Sequence, residues 1–164
     1  MGRTFVWLFL VANTIYLVHR GVQGCTCFDH HPQTIFCSRD FVFLGEIVSY
    51  ELIDVDPQDP DNLHATWTYK VKLITRIKGI SNPVGSILQI QTPGHEFVCG
   101  TSFQVGSRMI LSGSNRNGKK EVLICDMNIR EQDLSAQQRR YLFGTNSNTY
   151  QANCLCKVRF IQLN

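Results

Sequence analysis

Three cysteines fall within thirteen residues in Cys25-Thr26-Cys27-Phe28-Asp29-His30-His31-Pro32-Gln33-Thr34-Ile35-Phe36-Cys37, alongside two histidines. Thiols in this pattern can do two kinds of chemistry: they can pair as disulfides, or they can ligate a metal with His30 or His31. Cysteines two apart followed by adjacent histidines do not match the usual spacings of structural zinc ligands. The segment before them favours disulfides. Arg3 and the apolar run Phe5 to Val18, followed by small residues Val22 and Gly24, read as a signal peptide over 1–24. The apolar run is shorter than the ~20 residues a spanning helix needs. Cleavage after Gly24 would make Cys25 the first mature residue and leave it a free α-amino group.

The cysteines number seven, Cys25, Cys27, Cys37, Cys99, Cys125, Cys154 and Cys156, all beyond the leader. An oxidising compartment predicts disulfides with one thiol left over, and spacing alone does not fix the pairing. His30, His64 and His95 have no nucleophile beside them in a catalytic pattern, so an enzyme is not expected. The leader takes Arg3 and Arg20 with it, so 16 basic residues become 14 against 13 acidic ones. That balance gives no reason to expect nucleic acid as a partner. Residues 25–164 are long enough for one domain with a substantial core.

The elements that must position this N-terminus follow from patterning. Pro32 suits the first turn of a short helix reaching toward Asp40. Phe41 to Leu52 is rich in β-branched and aromatic residues, with a bulge or bend expected at Gly45. Asp54 to Asn62, with two prolines and four aspartates, reads as a solvated loop. Trp67, Tyr69, Val71 and Leu73 alternate with polar residues in a half-buried strand ending at Gly79. Lys70, Lys72, Arg76 and Lys78 form a basic stripe along it. A third strand spans Ile87 to Gln91 and stops at Thr92-Pro93-Gly94. Met109 to Leu111 and Glu121 to Cys125 are expected to flank a hairpin turn at Asn117-Gly118. Ser135 and Gln138 fit a capping box opening a helix to Phe143, closed by Gly144. Val158 to Leu163 reads as a short terminal strand. The expected fold is mainly β: a disulfide-stapled, OB-fold-like, five-stranded Greek-key barrel with two or three short flanking helices.

With these residues in place, the chain resembles the N-terminal, netrin-like domain of the tissue inhibitors of metalloproteinases. The resemblance rests on the pattern C-x-C-x3-H-P-Q-x2-F-C at Cys25, Cys27, His31, Pro32, Gln33, Phe36 and Cys37. It continues at Asp40, Val42, Tyr69, Lys72, Lys78-Gly79, Thr92-Pro93, Glu96, Val98-Cys99-Gly100, Cys125-Asp126, Leu134-Ser135, Gln138-Arg139-Arg140 and Cys154. It implies disulfides Cys25–Cys99, Cys27–Cys125 and Cys37–Cys154, with Cys156 unpaired. Such loops of roughly 75 to 118 residues contribute about 4–5 kcal/mol each in the chain-entropy model.

The resemblance also implies a function. The amine and carbonyl of Cys25 would bind the catalytic zinc of a target protease, with Thr26 in its S1′ pocket. Cys27, Phe28 and Asp29 would follow along the cleft, and His95, Glu96, Phe97, Val98 and Cys99 would form a second contact segment. No cofactor of its own is implied; the zinc belongs to the target. Expected partners are secreted or membrane-bound zinc metalloproteases, for a secreted protein that is not membrane-inserted; the basic stripe reads first as a solvated strand face, with binding to extracellular matrix as the alternative. The other reading is a non-inhibitory netrin-like module that binds a matrix or signalling protein. Leu44 stands where the family usually has a basic residue. Phe28-Asp29 replaces the more usual aliphatic or small residue followed by proline.

Overall fold

The computed structural model describes residues 25–27, 30–59, 63–145 and 149–154. The expected leader at 1–24, Phe28, Asp29, Cys156 and the expected strand at 158–163 lie outside the described residues. The elements are helix α1 (Pro32–Ser38) and strands β1 (Phe41–Ile53), β2 (Thr66–Lys78), β3 (Ile87–Pro93), β4 (Arg108–Arg116), β5 (Lys119–Glu121) and β6 (Asn128–Arg130). Helices α2 (Ala136–Phe143) and α3 (Tyr150–Asn153) follow, and short 3₁₀ turns occupy Glu96–Val98 and Glu131–Asp133.

The strands run in the order β1-β2-β3-β5-β4-β6, and an additional β1–β4 pairing closes the first five into a ring. All pairings are antiparallel except β3 with β5. This is an OB-type barrel, with β6 as a short sixth strand laid against β4.

Long strands make closure possible. β1 spans thirteen residues and bends at register shifts between Leu44 and Gly45 and between Ile47 and Ser49. Its first half can therefore pair with β4 while its full length follows β2. Phe41, Phe43 and Ile47 point into the barrel with Tyr69, Val71, Leu73, Leu88, Ile90, Phe103, Leu111 and Val122. The alternate residues Val42 and Leu44 face outward, yet they too are buried, against Phe36, Ile110, Leu134, Leu142 and Tyr150. The helices thus cover one wall of the barrel, which is why the start of β1 reads as an unbroken apolar run.

Two expectations need correction. The second arm of the β4 hairpin is Lys119–Glu121, not Glu121 to Cys125. Asn117 and Gly118 both have positive φ, at 51° and 76°, as a two-residue I′ turn requires, and this places Lys119 opposite Arg116. The chain then leaves the sheet through a turn at 124–125, bringing Cys125 to its disulfide partner.

Lys78 does not belong to an exposed basic stripe. Its ammonium donates to the carbonyls of Phe36 (2.8 Å), Cys37 (3.1 Å) and Arg39. Burial lowers its pKa, against the opposing field of Asp40. Lys70, Lys72 and Arg76 remain exposed.

Candidate functional site: the pinned N-terminal segment

Cys25-Thr26-Cys27 has no secondary structure of its own, so its position depends on covalent anchors. Cys25 is bonded to Cys99 and Cys27 to Cys125, with Cα separations of 5.1 and 5.2 Å. These two bonds, and Cys37–Cys154 elsewhere, are the pairs the resemblance implies. Cys25 is half-buried, whereas Thr26 and Cys27 are exposed. Thr26 is therefore held at the surface between two tethered neighbours.

The anchors are themselves fixed to each other and to the barrel. Ile124 donates its N–H to the carbonyl of Cys99 at 2.9 Å, joining the two receiving segments directly. On the Cys125 side, the Asp126 carboxylate accepts the N–H of Leu123 at 2.7 Å and forms an ion pair with Arg39. Asp126 has only 3% of its side chain exposed, and this burial raises its pKa despite Leu123 and Arg39. Arg39 follows α1, so this pair ties the N-terminal helix to the Cys125 turn.

On the Cys99 side, the 3₁₀ turn Glu96–Val98 is N-capped by His95, whose Nδ1 accepts the N–H of Phe97 at 3.2 Å. The two rings stack with centroids 4.8 Å apart. Gly94 accepts the indole N–H of Trp67, which holds the ridge to β2. Cys99 takes a left-handed conformation, φ 68°, that turns the chain back to the barrel. Gly100 packs so closely on the carbonyls of Pro93 and His95 that a Cβ there has no room.

The ridge presents Phe97, 58% exposed, and Val98, 39% exposed. An aromatic side chain left this open, next to the tethered Cys25-Thr26-Cys27 segment, is the kind of residue that anchors a partner rather than a core. Phe28 and Asp29 lie outside the described residues. The disulfides thus bring Cys25, Thr26 and Cys27 beside the segment His95 to Cys99.

Among the described residues no three His, Cys, Asp or Glu side chains converge as a metal site, and no helix is long and apolar enough to cross a membrane. The residues that sequence reasoning did not single out as positioning groups are Arg39, Ile124 and the capping His95 nitrogen. Arg39 and Ile124 act through partners more than 20 residues away, which no local pattern reveals.

Fold and pinned segment together define a disulfide-stapled netrin-like module on an OB-type barrel. The chain belongs to the tissue inhibitor of metalloproteinase family, whose match covers residues 23–162. It is 31% identical over 163 residues to metalloproteinase inhibitor 2 of Cavia porcellus, covering 96% of this chain and 71% of that protein. Against metalloproteinase inhibitor 2 of Homo sapiens the identity is 30%, over 95% of this chain and 67% of the relative. Against metalloproteinase inhibitor 3 of Xenopus laevis it is 27%, over 87% and 62% respectively. The chain thus spans about two-thirds of the length of these relatives.

Proposed function

We propose that this protein is a secreted inhibitor of zinc metalloendopeptidases of the matrix metalloprotease class, with no catalysis of its own. Its leader is removed after Gly24, which makes Cys25 the mature N-terminus. The observation that carries the reading is the double tether of Cys25 and Cys27, which holds Thr26 exposed between them. Membership of a family whose relatives are named metalloproteinase inhibitors supports the same reading.

A catalytic zinc in such a protease has three protein ligands and an open position for the hydrolytic water. The α-amino nitrogen and carbonyl oxygen of Cys25 take up that position on the target's zinc, and the nucleophilic water is displaced. An α-amino pKa of about 8 makes the neutral amine accessible near neutral pH. Thr26 enters the S1′ pocket. Cys27, Phe28 and Asp29 run on along the primed side, and His95, Glu96, Phe97, Val98 and Cys99 supply the second contact. Because the tethers order the segment before it binds, less conformational entropy is lost on association.

The test is a titration of the mature, refolded protein against metalloprotease catalytic domains, in parallel with a version carrying one alanine before Cys25. Inhibition by the first alone establishes chelation by the Cys25 amine. Inhibition by both removes the chelation mechanism and leaves an inhibitor working through its flanking surfaces. A folded, three-disulfide protein that inhibits nothing ends the inhibitor reading in favour of a netrin-like binding module.

A further inference from the structure

Two histidines near the tethered segment cap helical turns in the same way. The Nδ1 of His31 accepts the N–H of Gln33 at 3.2 Å where α1 begins, and the Nδ1 of His95 accepts the N–H of Phe97 at 3.2 Å where the ridge begins. An N-cap is more often Ser, Thr, Asp or Asn, whose side-chain oxygen stays an acceptor around neutral pH. An imidazole nitrogen accepts only while the ring is neutral; once protonated, both ring nitrogens are donors.

The two caps differ in what else supports the residue they hold. α1 keeps Pro32 in its first turn, Lys78 on its last carbonyls and the Cys37–Cys154 bond. The ridge keeps its backbone turn as well, because the N–H groups of Val98 and Gly100 both go to the His95 carbonyl. Phe97 depends on the His95 side chain. Its N–H donates to that imidazole, and its ring stacks on the same imidazole with 25° between the planes. More than half exposed, it has little other packing to hold it.

We infer that His95 is an acid-sensitive latch on Phe97 and thereby regulates the inhibitory surface, a reading that rests on the proposed function. In the imidazolium, the Nδ1–H would meet the Phe97 N–H at 3.2 Å, donor against donor. The ring must swing away, and Phe97 loses its acceptor and its stacking partner in one step. Other titratable or charged groups surround the ridge. Glu96 lines the same cleft as His95 and Trp67. His64 precedes Ala65, whose carbonyl takes the Gly94 N–H. On the other side, Val98 shares a groove with His64, Arg116, Lys119 and Glu121, and Arg116 is paired with Glu121 at 3.2 Å. The α-amine of a mature Cys25 is tied to the ridge through Cys99. Among these, imidazoles and the α-amine change charge between about pH 5 and 8, and His95 is the one that holds the Phe97 N–H. The inhibitor therefore grips at neutral pH and loosens as its surroundings acidify.

The test follows the Phe97 amide by NMR in the free, refolded mature protein from about pH 8 to about pH 5, the window in which imidazoles titrate. Its shift is expected to move together with the ring protons of His95. It should stay flat in His95→Asn, which accepts the same hydrogen bond but does not ionise. Glu96→Gln should leave the transition in place. In parallel, the inhibition constant at about pH 5.5 is divided by that at about pH 7.5, for the parent and for His95→Asn. The protease's own pH response and that of the Cys25 amine enter both ratios and cancel. The parent's ratio should be the larger by roughly twofold to thirtyfold, the span of a lost N-cap. A Phe97 amide that ignores pH in the parent, or titrates equally in His95→Asn, overturns the latch. Equal ratios for two proteins that both inhibit overturn its role in inhibition. A protein that inhibits nothing at either pH ends the regulatory reading together with the proposed function, and the amide titration still shows whether the latch itself exists.

Discussion

Lys78 places its ammonium 2.8 Å from the carbonyl oxygen of Phe36 and 5.4 Å from the centre of the same residue's ring. Helix α1 has no basic residue in its last turn, so a lysine from the end of β2 serves the carbonyls that the helix leaves open. Lys78→Met should therefore cost about 1–3 kcal/mol, since it strands partly buried acceptors. Urea unfolding measures this, and Lys78→Arg should recover part of the loss.

Asp126 makes stability depend on pH. Burial raises its pKa above that of an ordinary aspartate, against the Leu123 N–H and Arg39. A raised folded-state pKa means that the native protein holds this proton more tightly than the unfolded chain does. The favourable contribution is complete below about pH 4 and is lost as pH rises through the folded-state pKa. Asp126→Asn cannot ionise but still accepts from Leu123. Its stability relative to the parent should therefore rise from about pH 3 to about pH 7, as read by denaturant midpoints. A flat difference across that range would show that burial does not govern this carboxylate.

Gly100 sits where the ridge turns back to the barrel, and a Cβ would come within 2.7 Å of the His95 carbonyl and closer still to that of Pro93. Gly100→Ala should displace the His95–Phe97 ridge. It should lower the melting temperature and weaken inhibition together.

Phe97 should behave in the opposite way. At 58% exposure it contributes little to folding, so Phe97→Ala should leave the melting temperature within a degree or two. Under the proposed function it should weaken inhibition by about 1–3 kcal/mol, or roughly fivefold to more than a hundredfold in the inhibition constant.

Removing one tether tests rigidity itself. The Cys27–Cys125 bond closes a separation of 98 residues, so Cys27→Ser with Cys125→Ser should cost about 4–5 kcal/mol of stability in the chain-entropy model. Inhibition should fall further than the remaining folded fraction accounts for, because Thr26 then has one anchor instead of two.

Local chemistry made much of this legible from sequence. The Ser135–Gln138 capping box is present in both directions, and Asn117-Gly118 forms the expected turn. The β2 alternation buries Tyr69, Val71 and Leu73, as a period of two requires. What escaped depends on distant partners. β5 stops at Glu121 because the Cys125 turn must reach Cys27, and nothing in Glu121 to Cys125 itself announces that. The short β6 exists because β4 offers it an edge, with Ile110 opposite Ile129. Lys78 shares the spacing of a solvated stripe, yet a helix end close in space captures it. At the N-terminus the motif marked the residues, but the tie from Ile124 to the Cys99 carbonyl is a tertiary fact.

Each disulfide joins Cys25, Cys27 or Cys37 to a cysteine 74, 98 or 117 positions later. During synthesis the early thiols emerge together and wait for their partners. At roughly 5–20 residues per second, Cys37 stays unmatched for about 6–23 seconds before Cys154 is made. During that interval Cys25, Cys27 and Cys37 are one another's nearest thiols. The native pairing is therefore completed only once Cys154 has been made, and the yield of active protein should follow the cell's capacity to reshuffle early mispairs.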